Sequence, residues 1–438
     1  MSDTHAQTVS FVRDTMLPEA EPPVGNRGAI LWMRENLFSG WLNILMTLVS
    51  LYVIWWALSH TMPWVFNGIW NAGSLSECRE IRNATIGADA SAACWAVLGD
   101  RWQQLMFGFY PRELYWRPIL ALVIFFVAIA PVLFSRVPRG MLAFTALSPF
   151  AMFWLLWGGS LWFPVSIALG FVLGWAAWRA LAPIAGTLIA MIVAVALPLI
   201  YWFYTAGPLA RELEQVIALS IEYVPSQDFG GFMLSFIIGI AGIILSLPLG
   251  ILLALGRQSD LFIINKISVG FIEIIRGVPL IVWLFTASLL LNYFLPPGTN
   301  FDLMLRVIIM VTLFAAAYIA EVVRGGLASL PKGQYEAADA LGLDYWKSMR
   351  LIILPQALKI AIPGIVNTFI GLFKDTTLVV FIGLLDPIGL SNAIRASAEW
   401  NGIYWELFVF IGLLFFICCF SMSRYSLYLE KKLQRGHH

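Results

Sequence analysis

The chain has 438 residues, 60% hydrophobic and only 12% charged, with a net charge of +1. A soluble domain is about 45–50% apolar and about 25% charged, so this composition excludes a fold that hides its apolar surface in one aqueous core. The near-zero net charge and the lack of any long basic run say nothing in favour of a nucleic-acid partner, none is expected, and membrane lipid is the expected surroundings.

Residues 1–40 are polar, with scattered charges (Arg13, Asp14, Glu19, Arg27, Arg34, Glu35) and no short apolar core. No cleavable signal peptide is expected there, and the stretch reads as a cytoplasmic N-terminal segment. A bilayer core of about 30 Å needs roughly 20 apolar residues as helix. Ten runs approach that length: 41–60, 118–134, 141–157, 161–179, 184–204, 230–255, 268–295, 303–325, 356–385 and 403–422. They show no period-two alternation, which predicts helices rather than strands. The expected fold is an all-α polytopic membrane protein with about ten transmembrane helices.

Loop charge sets the orientation. Arg27 and Arg34, Arg136 and Arg139, Arg179, Arg257 and Lys266, Lys332, Lys347 and Arg350, then Arg424, Lys431, Lys432 and Arg435 fall in alternate connections. The intervening short loops hold no Lys or Arg at 296–302 and only Arg395 at 386–402. The positive-inside rule therefore predicts both termini in the cytoplasm.

Fifteen of the nineteen tryptophans precede residue 226. This shift divides the chain into a five-span accessory region, 41–225, with a long outer loop at 61–117, and a second five-span region, 226–432. The exposed stretch 205–229 is the candidate linker, and no internal repeat is visible. Cys78 and Cys94 share the outer loop, in an oxidising compartment on this topology. A disulfide between them is favoured over two free thiols, and closing such a loop stabilises by about 3 kcal/mol on the entropic account. Cys418 and Cys419 read as packing residues.

In the second region, Gly242, Ser246, Gly250 and Ala254 recur every fourth position, a small-residue stripe that lets another helix approach closely. Charges also lie inside apolar runs: Glu273 with Arg276, Glu321 with Arg324, and Lys374 with Asp375. Each costs about 2.5–3.5 kcal/mol at mid-bilayer, so each should face the interior and find a partner. Glu273/Arg276 and Glu321/Arg324 are three apart and expected to pair locally, anchoring helix ends near the inner side. Adjacent Lys374 and Asp375 cannot face each other on a helix. Each needs a partner elsewhere, in the protein or in a ligand, and a zwitterionic amino acid offers one group of each sign.

Between the runs 303–325 and 356–385 lies an inner loop, 331–355. It reads as a short amphipathic helix over 334–341 bracketed by Gly333 and Gly342, a glycine turn, and a second helix entering the membrane. Ala337, Ala338 and Ala340 make the first helix thin enough for a groove on another protein, and Glu336 and Asp339 add charge. This loop resembles the signature of binding-protein-dependent ABC importer permeases: Glu336-Ala337-Ala338, three residues, Gly342, nine residues, Ile352, one residue, Leu354-Pro355. The flanks Glu273–Leu280, Ala317–Gly326 and Lys374-Asp375-Thr376-Thr377-Leu378 resemble the polar amino-acid uptake subfamily. The N-terminal half is similar to the long permease subunit of broad-specificity L-amino-acid importers.

The resemblance implies a type I ABC importer permease core at 226–432, in a bacterial inner membrane. Its coupling residues would be Glu336, Ala337, Ala338 and Gly342, docking into a cytosolic ATPase dimer. Lys374, Asp375, Thr376, Phe314 and Glu321 become candidates for the substrate path. Phe314 stands where subfamily members often carry Asn, which fits a less selective site or the non-binding half of a heterodimer. The sequence contains no Gly-x-x-x-x-Gly-Lys-Ser/Thr, so ATP and Mg belong on the partner chain; no catalytic residue, cofactor or metal site is expected here. A second permease subunit, paralogue or self, and a periplasmic amino-acid-binding protein complete the implied complex. The alternatives are an ion-gradient-driven secondary transporter, which broken helices would suit, and a non-transporting scaffold or receptor.

Overall fold

The computed structural model describes residues 28–134, 136–290, 293 and 302–434. The expectations for 1–27, for the 296–301 loop and for Arg435 lie outside these. Helices α1 (Gly28–Asn36), α2 (Trp41–Phe66), α3 (Leu75–Thr85), α4 (Ala96–Phe107), α5 (Trp116–Leu133), α6 (Met141–Trp157), α7 (Trp162–Tyr204) and α8 (Ala206–Val216) make up the first half. A two-residue antiparallel ribbon joins β1 (Gly159–Ser160) to β2 (Ser220–Ile221). The second half contains α9 (Gly231–Arg257), α10 (Phe262–Gly277), α11 (Leu280–Phe285), α12 (Leu303–Ala328), α13 (Lys332–Ala340), α14 (Tyr345–Ser348), α15 (Leu354–Asp375), α16 (Pro387–Arg395) and α17 (Trp405–Gln434).

Among the described residues, seven helices are long and apolar enough to cross a membrane, and nine if each of two sharply bent pairs counts as one span. Met141–Trp157 is a shorter apolar helix beside them. Each of the ten runs read from the sequence falls on one of these elements, and the fold is all-α and polytopic. Three runs are less regular than expected. Gly186, at φ +81, kinks α7. The run 268–295 is not one helix: α10 and the following Leu280–Leu290 segment meet at 102°. Pro279 explains the break, because its ring disfavours helical backbone at Val278 and it has no N–H to donate. The run 356–385 is α-helical only to Asp375 and then tightens into a 3₁₀ turn, Thr376–Ile382.

The described residues form two compact units. One holds the residues up to Ile69 with Arg79–Cys94; within it α2 has no buried residue. The other holds Trp70–Cys78 and everything from Trp95 onward. In this larger unit, packing crosses the compositional boundary at residue 226. Helix α4, from the long outer loop, packs on α9, α16 and α17. Asp100 accepts the indole N–H of fully buried Trp400 at 2.8 Å. One apolar cluster joins Tyr110, Leu155 and Val224 to Leu234, Val307 and Leu372.

Helix α12 is the axis of the bundle, held between α9, α10 and α15. The small-residue stripe explains the close approach of α9. A Cβ added at Gly250 would stand 2.6 Å from Ile319 Cγ2, and one at Gly242 would stand 3.0 Å from Val311 Cγ1. A second apolar cluster, including Ala254, Ile272, Val323, Ile353 and Ala357, fills the end of the bundle that carries 331–355, called here the loop end.

Candidate functional site

Helix α13 starts behind Pro331, whose fixed φ suits a helix entrance. It ends at Leu341, and Gly342 turns the chain at φ +68, a left-handed conformation that disfavours any residue with a Cβ. Gly342 N–H donates to Asp339 O at 2.9 Å and Leu343 N–H to Ala338 O at 3.2 Å, which satisfies the carbonyls at the helix end. Asp344 then caps α14 by accepting from Lys347 N–H at 2.9 Å. Gln356 donates to Gln334 at 3.0 Å and ties α13 to α15.

This turn presents Glu336, Ala337, Asp339, Ala340 and Gly342 outward. Ala338 is different. It is fully buried within its own chain, where the helix packs on the Met349–Ile353 turn, so of the three alanines that keep the helix thin only Ala337 and Ala340 lie on the outward face. Sequence reasoning also missed the apolar part of the surface: Leu341 is 72% exposed and Trp346 65%, with Tyr345 beside them. Large apolar residues exposed together on a polar loop were the available signal.

The intramembrane charges assemble differently from expectation. Glu321 pairs with Arg324 three residues on, at 3.0 Å. Glu273 does not pair with Arg276. It meets Arg257 at 2.9 Å, while Arg276 lies 3.6 Å from Glu321. Arg257 also reaches Glu321 at 2.6 Å. The reason is geometric: α9, α10 and α12 converge at the loop end, and a cross-helix partner competes with the i,i+3 neighbour. Glu321 thus gathers Arg257, Arg276 and Arg324, and ties the ends of three helices together. The sequence read Arg257 only as an orienting charge.

Phe314, Tyr318 and Glu321 follow one another at helical spacing on a half-buried stripe of α12. The Phe314 and Tyr318 rings are 4.9 Å apart, and the Arg276 guanidinium lies 5.4 Å from the Tyr318 ring centre. Lys374 and Asp375 are not brought to this group. They close α15 twenty residues from its start at the loop end, a separation of about 30 Å along a helix. Lys374 is exposed and Asp375 half-buried, and neither forms an ion pair among the described residues. Thr376 is fully buried, donates to Phe373 O at 2.7 Å and puts its methyl toward Gly239; this corrects its assignment to the path, since a side chain closed in the core cannot line it.

At the opposite end, a cavity of about 500 Å³ is lined by Ser226, Asp302, Arg306 and Leu384, among others. Ser226 donates to Asp302, which also accepts from Met304 and Leu305 N–H as the cap of α12, so the acid is a structural joint. Nearby Asp386 caps α16 through Gly389 and Ile388 N–H while fully buried. Burial pushes its carboxyl up to about 6, with the backbone N–H groups of Gly389, Ile388 and Asp386 itself pulling back only in part. The folded state therefore holds this proton more tightly than the unfolded chain. Ionisation costs stability progressively from about pH 4 to about pH 6, about 3 kcal/mol in full. Asp386→Asn keeps a capping oxygen and removes the charge. Its expected result is a higher unfolding temperature at pH 7.5 and a flatter stability profile from pH 4 to 6, read by thermal unfolding in detergent.

Residues 246–435 match the family model described as binding-protein-dependent transport system inner membrane component. The chain is 56% identical, over 438 residues and the full length of both, to the glutamate/glutamine/aspartate/asparagine transport system permease protein BztC of Rhodobacter capsulatus. It is 38% identical to the inner membrane amino-acid ABC transporter permease protein YhdY of Escherichia coli, over 93% of this chain and 94% of that one. Among solved structures, an amino acid ABC transporter with histidines aligns at 27% identity and a TM-score of 0.41, covering 45% of this chain and 90% of that one. The chain belongs to the binding-protein-dependent permeases of amino-acid ABC importers. It is a multi-pass inner-membrane protein and the membrane-spanning subunit of an ATP-driven amino-acid uptake system. This membership sets aside the ion-gradient and scaffold alternatives.

Proposed function

We propose that residues 226–432 form half of the translocation path and that the 331–355 loop is its lever. Both termini lie in the cytoplasm, and the loop with them. Glu336, Ala337 and Gly342, together with Leu341, Tyr345 and Trp346, dock on a cytosolic ATPase dimer that holds ATP and Mg. A second permease subunit, copy or paralogue, supplies the other half of the path, and a periplasmic amino-acid-binding protein delivers substrate. The observation that carries this reading is the exposed apolar and acidic face on a loop braced from behind by Ala338 and Gln334. ATP-driven closure of the ATPases draws the two loops together and tilts α12 and α15. The names of the relatives support acidic amino acids and their amides as cargo.

The stripe Phe314, Tyr318 and Glu321 lines the inner part of the path, and Lys374 and Asp375 the outer part. Residues 41–225 widen the scaffold. Reconstituted with its partners in liposomes, the permease should take up glutamate and glutamine only with ATP and Mg; uptake that persists without ATP and collapses with an uncoupler would refute this. Lys374→Gln and Asp375→Asn should change the glutamate-to-glutamine preference by about tenfold while the ATPase still co-purifies. Loss of co-purification would make both residues structural. A disulfide between Cys78 and Cys94 completes the reading, supported by the burial of both residues. After thiol blocking, reductant should shift the gel mobility of the outer loop.

A further inference from the structure

Arg276 occupies the last turn of α10, immediately before the break at Gly277–Pro279. Both oxygens of Glu321 are already engaged without it: Oε1 accepts from Arg257 at 2.6 Å and from Arg324 at 3.3 Å, and Oε2 accepts from Arg324 at 3.0 Å and 3.1 Å. Arg276 approaches the same carboxylate only to 3.6 Å, beyond hydrogen-bond range. Its Nε–H is buried with no acceptor, and none of its N–H groups donates to a described residue. Three guanidinium groups share two carboxylates here, Glu321 and Glu273, which leaves one positive charge over. A cation does suit the C-terminal end of a helix. That accounts for a charge in this turn, but not for a buried donor left unsatisfied and held over the Tyr318 ring. The Arg276 side chain is otherwise 33% exposed, so an arriving acceptor can reach its N–H groups.

We propose that Arg276 binds the α-carboxylate of the amino acid as it passes the Phe314–Tyr318 stripe, with Tyr318 positioning the guanidinium. The assignment rests on the path reading given above. The planar fork of arginine matches a carboxylate with two parallel hydrogen bonds, and every α-amino acid carries that group whatever its side chain. One residue would then recognise acidic amino acids and their amides alike. A lipid phosphate presents the same oxyanion chemistry. The substrate is favoured because the guanidinium lies over α12's half-buried stripe of Phe314, Tyr318 and Glu321.

The test uses the assembled permease–ATPase complex in detergent, without binding protein, and measures equilibrium binding of radiolabelled glutamine and of its α-carboxamide. Wild type should prefer glutamine. Arg276→Gln should weaken glutamine binding by about tenfold or more and bind acid and amide equally, and Arg276→Lys should keep part of the preference. Wild-type affinity in Arg276→Gln, or a surviving preference for the acid, overturns the assignment. So does loss of a co-purifying anionic phospholipid in Arg276→Gln with amino-acid binding unchanged, which would make the residue a headgroup anchor. If Arg276→Lys also sheds the ATPase, the residue is structural and the proposal falls. Absence of any amino-acid binding by the wild-type complex overturns the path reading itself, an outcome distinct from a defect confined to the variants.

Discussion

Gly342→Val and Leu341→Asp are each expected to lower ATP-driven uptake by on the order of a hundredfold, with membrane abundance nearly unchanged, because docking hot spots are worth about 2–4 kcal/mol each. Gly342 sits at φ +68, where a β-branched side chain is strained, and the strain falls on the turn that aims Leu341. Leu341 is the most exposed apolar residue of the loop, and an acid there would be desolvated at any docked surface. Neither residue packs in the bundle core, so folding should survive. Glu336→Lys adds a charge reversal on the same exposed face. The measurement is paired: ATPase co-purification on the one hand, uptake in reconstituted vesicles on the other. Uptake near wild type in all three variants would remove the loop from the coupling path.

Glu321→Gln is expected to be the most destabilising single change in the bundle that leaves volume untouched. The Glu321 side chain is only 16% exposed and meets three guanidinium groups. Removing the shared carboxylate leaves three partly exposed guanidinium groups facing one another, and the loss of its charged hydrogen bonds costs about 1–3 kcal/mol. Glu273→Gln provides the contrast: its side chain is 56% exposed and it has one ion-pair partner, Arg257, so the expected loss is about 1 kcal/mol or less. Unfolding temperatures in detergent should separate the two clearly. Adding Arg257→Met to Glu321→Gln should recover part of the loss, since the double change removes the facing charge as well. Equal effects of Glu321→Gln and Glu273→Gln would show that the cluster is solvated and not a clasp.

The clasp and the loop differ in how far the sequence revealed them. Glu336, Gly342 and Pro355 could be read directly, because a helix, its left-handed glycine stop and the following turn are local features fixed by neighbours within one short segment. Their partner surface was only half legible. Burial of Ala338 and exposure of Leu341 and Trp346 depend on which face of α13 meets the Met349–Ile353 turn. The charge pairs misled at Glu273 for a related reason. Spacing along one helix names the nearest candidate partner, but three helices converging at one end offered Glu273 a better one in Arg257.

The loop that first marked the chain as an importer permease therefore has two histories. By itself, the sequence determined the lipid solvent, the ten apolar runs, the charge asymmetry and the Glu336–Pro355 spacing, since each depends on composition or on contacts a few residues apart. Only the tertiary structure decided that α10 breaks by 102° at Pro279, that α4 from the outer loop packs on α9, α16 and α17, and that Arg276 is left with a buried donor beside Tyr318. Those facts arise where distant segments meet, and side-chain hydrogen bonds and close packing between helices are set by that meeting and not by local periodicity.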